Sequence, residues 1–471
     1  MSEAKTFTID TELTSIYFND VLKFVQQNYL LPHPETFVNI RKTKTNGSHF
    51  LSFTVLDPNR KWKIRVVMKS GAIIHVKMFP EGKVPEGAVE KIRVELIATV
   101  QMFEESVRRS TLYFAWVKGE KIIPEKMPTV TKRTSGRVFS SSMIFLYLLL
   151  FATNIALFTF FGLYAVIGIL AVQLGFIIFA DQIFLRMGEF RITKKTREVH
   201  ILQYHLPVEE YREFQAKYGK DMVVQLKTEI YNRTLAVGKE PTCKLGRQIL
   251  KKYGITCNPR RESYKVVNVY DIVKKAAEKF NLPVPKIVVS NSMMPNAAAN
   301  GPSPSRGVVV ITTGLLAQLN DEEILNVVGH ELGHLQGRDP IILFGLTSAE
   351  FLLRIFVFLP IFLLFPFFYL MVALGIVYFI AKFFEARADL LSAIKIGQPR
   401  VLAEALQKIG YQKLQYERLP TYKIQSWIRF DTHPPIYFRI DRLKKLKPPL
   451  EVKYPLLQSI KDVFKGFKSV F

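Results

Sequence analysis

The stretch NVVGHELGHLQGRDP, at residues 326–340, contains two histidines four positions apart. Acidic residues at 321–323 are typical of a helix start, and an apolar stripe runs through the same segment, so we predict that both histidines lie on one helix. His330 and His334 are then one turn apart on one face, where two neutral imidazoles can bind a zinc ion together. Glu331 lies beside the first of them, and its carboxylate could take a proton from metal-bound water.

A third ligand would distinguish a metal site from two histidines that only share an amphipathic helix. The third histidine of a metzincin would occupy position 340, which is Pro340, so that pattern fails. Downstream, the stretch FFEARADLL offers Glu385 and Asp389 on another helix, where one could bind metal while the other holds a ligand imidazole. Two histidines and a carboxylate, with the fourth position open to water, are the ligands of a catalytic zinc site. A coincidental acidic pair is the alternative.

The chain between the two parts of this site is apolar. Residues 341–381 carry only two charges, Glu350 and Arg354, which can pair with each other one helical turn apart. The stretch fits a transmembrane hairpin of two helices of about 20 residues each. Because an even number of spans returns the chain to the side it left, Glu385 could then reach the two histidines.

Another charge-free stretch, from Met143 to Ala180, predicts a second transmembrane hairpin at residues 141–185. Basic clusters lie at both of its ends, as the positive-inside rule expects of cytoplasmic segments. Hydrophobic residues make up 49% of the 471-residue chain, and its net charge is +25. We assign this charge to membrane topology and expect no nucleic-acid partner, because no nucleic-acid recognition motif accompanies it.

The rest of the chain has the composition of soluble segments. Runs that alternate like strands, together with two helical stretches, predict an α+β fold for the N-terminal part. Cys243 and Cys257 lack metal spacing and predict reduced thiols, and the polar first residues predict no cleaved signal peptide. The predicted organisation is a soluble α+β accessory domain at 1–121, a basic linker at 122–140, a transmembrane hairpin at 141–185, a mostly helical cytoplasmic segment at 186–270, a zinc metallopeptidase domain at 271–446 interrupted by the hairpin at about 341–381, and a basic tail at 447–471.

Four stretches carry a resemblance to a known family: SNSMMPNAAANGPSPSRGVVVITTGLL, ILNVVGHELGHLQGRD, EARADLLSA and DTHPPIYFRIDRL, in that order. With the two hairpins, they make roughly residues 141–446 similar to the HtpX-like membrane zinc metallopeptidases, relatives of the CAAX prenyl protease. The resemblance implies a multi-pass α-helical membrane protein with a mainly α zincin-like domain on the cytoplasmic side. The N-terminal domain and the extra Pro and Ser residues after the Asn-Ala stretch depart from the family's plan.

The resemblance also implies roles for the residues of the candidate site. His330, His334 and Glu385 would bind one zinc ion, and Glu331 would act as the general base and acid. Asp389 would hold a ligand from outside the metal's own shell.

Further positions match the family's substrate-binding and supporting motifs. Asn296 and Ala297 match the Asn-Ala stretch, which implies an edge strand that binds an extended substrate by backbone pairing. His433, in the stretch THPP, would lie near the metal and stabilise the oxyanion, and Arg439 would support that region. Turn and helix-packing roles are the alternative for Asn296, His433 and Arg439.

Together these patterns favour an integral membrane zinc endopeptidase that cleaves misfolded or membrane proteins, as in protein quality control and stress response. A non-catalytic membrane scaffold with a structural metal site and a prenyl-protein (CAAX) protease are the alternatives. The expected partners are protein or peptide substrates and the lipid bilayer, while the N-terminal domain could bind a further partner and the chain could form a homo-oligomer. We expect the plasma membrane, with the N-terminus, active site and C-terminus on the cytoplasmic side.

Overall fold

The computed structural model describes the chain apart from a few short gaps and one long one. The residues left out are 1–3, 12, 14, 46, 58–60, 118–155, 187, 220, 240–242, 256–257, 259–260, 448–450 and 471. The predicted linker at 122–140 and most of the first helix of the predicted hairpin at 141–185 lie outside the described residues.

Most of the described chain is helical. The α-helices are α1 (Phe18–Val25), α2 (Glu86–Ser110), α3 (Tyr164–Ile178), α4 (Ala180–Leu185), α5 (Val208–Tyr218), α6 (Asp221–Arg233), α7 (Cys243–Lys252), α8 (Val269–Phe280), α9 (Thr313–Gln318), α10 (Asp321–Gly337), α11 (Asp339–Phe356), α12 (Leu359–Leu364), α13 (Pro366–Lys395), α14 (Pro399–Glu417), α15 (Pro420–Ile428), α16 (Ile436–Lys445) and α17 (Pro455–Lys468). The strands are β1 (Lys5–Asp10), β2 (Phe37–Thr45), β3 (Ser48–Leu56), β4 (Trp62–Lys69), β5 (Ile73–Gly82), β6 (Thr111–Val117), β7 (Phe190–Ile192), β8 (Glu198–His205), β9 (Glu262–Asn268), β10 (Lys286–Ser290), β11 (Ala297–Asn300) and β12 (Val308–Thr312).

Two compact units make up the described chain, and the first comprises Met1–Phe114, Leu202–Tyr264 and Tyr411–Tyr416. Its sheet has the order β1-β5-β4-β3-β2, with all neighbouring strands antiparallel. Alternate residues of β4 are buried, so one face of the sheet contributes to a core shared with α1 and α2. Each large apolar side chain buried there stabilises the fold by about 1.5–3 kcal/mol relative to an exposed position. The N-terminal region is therefore α+β, as its strand-like alternation predicts.

The second unit comprises Ala115–Ile201, Lys265–Gly410 and Glu417–Phe471. It contains a four-stranded sheet with the order β11-β12-β10-β7. The central strands β10 and β12 are parallel, whereas β11 and β7 pair antiparallel at the two edges. Helix α10 packs against α8, β11 and α13. The two predicted parts of the metal site, on α10 and α13, therefore lie in the same unit.

Residues 186–270, expected to be mostly helical, contain the strands β7, β8 and β9 as well as the helices α5, α6 and α7. Strand β7 pairs with β10, nearly a hundred residues further along the chain. Local periodicity cannot reveal such a strand, because its backbone hydrogen bonds are made with a distant segment.

The apolar stretches form helices with exposed apolar surfaces. Among the described residues, α13 is the one helix long and apolar enough to cross a membrane, and α3 is apolar but shorter. In the predicted hairpin at 341–381, α11 and α13 contact each other and the short helix α12 lies between them in the chain. Large apolar side chains project outward from both predicted hairpins, since Phe160 and Tyr164 at 141–185 and Phe367 at 341–381 are all more than four-fifths exposed. By length and composition α13 could cross a membrane, and a multi-pass arrangement stays a prediction.

Candidate metal centre

Helix α10 begins with a capping box and buries most of its length. The Asn320 side chain accepts the Glu323 backbone N–H at 2.9 Å, and the Glu323 carboxylate accepts the Asn320 backbone N–H at 2.9 Å. The capping box fixes where the helix starts, and the helical repeat then sets the face on which each following residue lies. His330 and Glu331 are buried, and His334 is nearly so.

Two glycines let α13 approach α10 closely at the site. A Cβ at Gly333 would lie 3.1 Å from the Ala388 Cα atom, and a Cβ at Gly329 would lie 2.7 Å from the Ile396 Cγ1 atom. A Cβ at Gly329 would displace the Ile396 and Ser392 side chains, and one at Gly333 would require the Ala388 backbone to move by a few tenths of an ångström, so glycine at both positions favours this close helix spacing. The close approach brings Glu385 to the two histidines.

The three candidate ligands, His330, His334 and Glu385, form a compact cluster of potential metal-binding atoms. The Nε2 atoms of His330 and His334 are 3.3 Å apart. The Glu385 carboxylate lies 3.4 Å from the first of them and 3.5 Å from the second. Tetrahedral ligands at about 2.0–2.1 Å from a zinc ion are themselves about 3.3 Å apart. The two Glu385 distances are to different oxygens, Oε2 and Oε1, so the carboxylate faces both imidazoles. One ligand atom from each of the three residues lies within 4.8 Å of the other two, which is close enough for the three to bind a single small cation.

Carboxylates contact the other nitrogen of each imidazole. The His330 Nδ1 atom lies 2.9 Å from Asp389 Oδ1, and the His334 Nδ1 atom lies 2.8 Å from Asp339 Oδ2. Such contacts place the proton on Nδ1 and leave Nε2 free to bind metal. Arg439 holds Asp389 with two hydrogen bonds of 2.8 Å and 2.7 Å.

The histidine pKa values follow from these neighbours. Burial alone lowers the pKa of His330, but contact with the Asp389 carboxylate outweighs it and raises the pKa to about 10. Burial lowers the pKa of His334, which favours the neutral imidazole that a metal ion requires.

Glu331 faces the open edge of the sheet. Its carboxylate accepts the Ala299 backbone N–H at 2.8 Å, and Ala299 belongs to the edge strand β11. Burial raises the pKa of Glu331, although the neighbouring histidines oppose this shift. A raised pKa brings a carboxylate closer to the range in which it can exchange protons at neutral pH.

Comparison with known proteins places the chain in a family. Residues 265–447 match the family described as Peptidase family M48. The chain is 30% identical over 229 residues to the "Protease HtpX homolog" of Thermococcus kodakarensis, a match that covers 41% of this chain and 78% of that relative. The chain belongs to peptidase family M48. This M48 protein is thus a metallopeptidase, and the expectation of a peptidase, as opposed to a non-catalytic scaffold, is confirmed.

Two further proteins are similar to this chain, one over a short segment and one with low structural similarity. The "Protease HtpX homolog" of Thermodesulfovibrio yellowstonii is 47% identical to this M48 peptidase over 74 residues, which is 16% of this chain and 26% of that relative. The crystal structure of S. mikatae Ste24p aligns with a TM-score of 0.30 and 17% identity, over 66% of this chain and 78% of that one.

The remaining predicted residues of the M48 peptidase lie close to the cluster or on the edge strand. The His433 Nε2 atom is 3.4 Å from Glu385 Oε2, and the His433 side chain is 48% exposed. Ala297 begins β11 at the edge of the sheet. Asn296 precedes this strand, and its main chain bonds Thr312 of β12 through both its N–H and its carbonyl.

Sequence reasoning missed Asp339, which contacts His334 at 2.8 Å. Arg338 adopts a left-handed conformation, with φ of 53°, that ends α10 and turns the chain back toward the histidine. Arg387 of α13 pairs with the other oxygen of Asp339. The pair Asp339-Pro340, directly after the helix that carries the histidines, was the available sequence signal. Proline favours the first turn of a helix, so this pair indicates that a new helix begins there.

Proposed function

We propose that this M48 peptidase is an integral membrane zinc endopeptidase that hydrolyses peptide bonds of misfolded or membrane proteins. His330, His334 and Glu385 would hold one zinc ion, and Glu331 would be the general base and acid. The observation that carries the proposal is the cluster of two imidazole nitrogens and a carboxylate, with one ligand atom from each within 4.8 Å of the others, beside the buried Glu331 carboxylate. A structural zinc site would need a fourth protein ligand, and a catalytic site leaves that position open.

The proposed chemistry divides between the ion and the chain. A bound zinc ion would polarise the scissile carbonyl and acidify a water molecule. The Glu331 carboxylate would accept the proton of the attacking water and pass it to the leaving amine. Burial suits Glu331 to both steps, because it raises the pKa of this carboxyl group.

Strand β11 offers the surface for an extended substrate. Asn296 directs its main-chain groups to β12, so by the alternation of an antiparallel pair Ala297 and Ala299 direct theirs to the open edge. The outward direction of the Ala299 N–H toward Glu331 agrees with this. A peptide paired with Ala297 and Ala299 would present its backbone to Glu331. Backbone pairing suits many sequences, as a quality-control peptidase requires.

His433 and Arg439 would support the reaction in different ways. His433 is half-exposed beside Glu385, where its imidazole could stabilise the oxyanion of the tetrahedral intermediate. Arg439 is buried and bonds Asp389, so its role would be to hold the carboxylate that orients His330.

The Glu331→Gln variant tests the proposed chemistry. Glutamine has the same shape but cannot accept a proton, so casein cleavage should fall by at least about a thousandfold while bound zinc remains at one ion per chain. Glu322→Gln, an exposed position on the same helix, is the matched control and should keep full activity. Metal content is measured by mass spectrometry, and cleavage is assayed with a chelator and after zinc is restored. Substantial cleavage by Glu331→Gln would contradict the mechanism.

A further inference from the structure

A buried lysine lies one helical turn before Glu385 and has no part in the proposed chemistry. Lys382, on α13, is only 1% exposed. Its Nζ atom lies 3.4 Å from the Arg429 carbonyl oxygen and also donates a hydrogen bond to the Asp431 carbonyl oxygen. A buried ammonium group is costly unless its protons are bonded, so these carbonyl contacts account for its stability in this position.

The two carbonyls belong to the loop between α15 and α16 that carries His433. The Asp431 carboxylate accepts the His433 backbone N–H at 3.0 Å and lies 3.1 Å from the His433 Nδ1 atom. The other ring nitrogen is the one that lies 3.4 Å from Glu385. Asp431 is therefore held by Lys382 through its carbonyl, and it holds the imidazole through its carboxylate.

Both attachments of this loop are made to the same helix. Lys382 and Glu385 are three residues apart on α13, so they lie on one face of it. The lysine fixes the base of the loop at a set distance from the metal ligand. Lysine suits this task, because its ammonium has three donors on a flexible stem and can bond two carbonyls at once.

We propose that Lys382 is a positioning residue that fixes His433 for its part in the reaction. The proposal rests on the proposed function, in which His433 stabilises the oxyanion. Without the ammonium group, the loop loses one of its attachments to α13, and the imidazole shifts from its place beside Glu385. A displacement of about 1 Å is enough to lower the rate by a large factor, because the stabilisation of a transition state depends strongly on geometry.

The test is a double-mutant cycle on the full-length protein. Lys382→Met, His433→Gln and the double variant are compared with wild type for kcat and KM on a fluorogenic peptide, zinc content and thermal unfolding. We expect His433→Gln to lower kcat about 100-fold and Lys382→Met about tenfold or more, with KM within about twofold and zinc unchanged. The double variant should be no slower than His433→Gln alone, because both changes remove the same interaction.

Lys265→Met is the matched control. The Lys265 ammonium also donates to two backbone carbonyls, those of Leu316 and Leu319, but in a different part of the unit. Lys265→Met should lower the unfolding temperature. Any effect that it has on kcat should be the same in the wild-type and His433→Gln backgrounds. If Lys382→Met does not fold, Lys382→Gln replaces it in the same cycle, because the shorter, uncharged glutamine cannot keep both carbonyl bonds.

A second measurement needs no cleavage. Mass spectrometry follows the rate at which diethyl pyrocarbonate modifies His433, which should rise several-fold in Lys382→Met and stay unchanged in Lys265→Met. Two results would overturn the positioning role. One is that the fold-losses in kcat of Lys382→Met and His433→Gln multiply in the double variant, and the other is that the modification rate of His433 is unchanged in Lys382→Met. If the proposed function is wrong, the wild-type protein will show no zinc-dependent cleavage. The modification rate of His433 still tests the role of Lys382 in that case.

Discussion

At the scale of single residues, the centre is built so that carboxylates hold both imidazoles. Asp389 contacts His330 at 2.9 Å and Asp339 contacts His334 at 2.8 Å, each on the ring nitrogen that faces away from the candidate metal position. Each carboxylate is itself paired with a buried arginine. Such outer contacts fix the direction of the ligand ring and increase its basicity. The arginine pairing means that neither carboxylate can turn away without leaving a buried charge unpaired.

Asp339→Ala therefore tests the contact between this carboxylate and His334. We expect zinc affinity to fall by about 10- to 100-fold, measured by competition with a chromogenic chelator. Asp321→Ala, an exposed position at the start of α10, is the control and should leave the affinity unchanged. Equal affinities for Asp339→Ala and wild type would show that the contact does not orient the ligand.

At the scale of the elements, the contact between α10 and α13 decides whether the ligands meet. The two helices bring together residues more than fifty positions apart in the chain, and the glycines of α10 face Ala388, Ser392 and Ile396 of α13. Strand β11 completes the arrangement, because it packs along α10 and presents its open edge to Glu331.

Gly333→Ala tests this helix contact. The added methyl group would lie 3.1 Å from the Ala388 Cα atom, so the helices must move apart. We expect a loss of about 1–3 kcal/mol in the free energy of unfolding, together with weaker zinc binding. Gly345→Ala on α11 is matched to it, since a Cβ there meets no atom within 4 Å. The free energy of unfolding of both variants is measured in detergent. Equal values for the two would mean that the contact between α10 and α13 can accommodate an added methyl group.

At the scale of the whole molecule, the outward-facing apolar side chains need a nonaqueous environment. Large exposed apolar patches on a protein surface mark membrane or protein interaction sites. Ile376 of α13 is 55% exposed, whereas from Tyr378 onward the same helix is largely buried. If α13 crosses the membrane as proposed, this change from exposed to buried would mark the end of the span about two turns before Glu385, and the candidate site would lie at the membrane edge.

Cysteine labelling tests this location and its sidedness. In a variant with Cys243 and Cys257 replaced by serine, a cysteine at Ile376 should resist a membrane-impermeant maleimide both before and after the cells are opened. A cysteine at Glu404, an exposed position, should be labelled only after they are opened. Labelling of Ile376→Cys in native membranes would show that α13 does not lie in the bilayer. Labelling of Glu404→Cys in intact cells would show that the orientation is opposite to the expected one.

The sequence by itself determined the parts of this protein that depend on local spacing. The position of His330 and His334 on one helix follows from periodicity, as does the α+β character of the N-terminal region. The four family stretches were enough to indicate an HtpX-like M48 peptidase, because each has residue types at fixed short distances. Side-chain chemistry and helical repeat are properties of neighbouring residues, so a single chain shows them directly.

Only the tertiary structure decided which distant groups meet. Asp339 could be related to His334 only through the left-handed turn at Arg338, and Lys382 to His433 only through a loop nearly fifty residues away. Strand β7 likewise exists because β10 supplies its hydrogen bonds. These contacts depend on how helices and strands pack, and the packing energy is distributed over many residues that carry no recognisable motif. The candidate metal ligands lie in short motifs that the sequence shows directly, whereas Asp339 and Lys382 are related to the site only by packing.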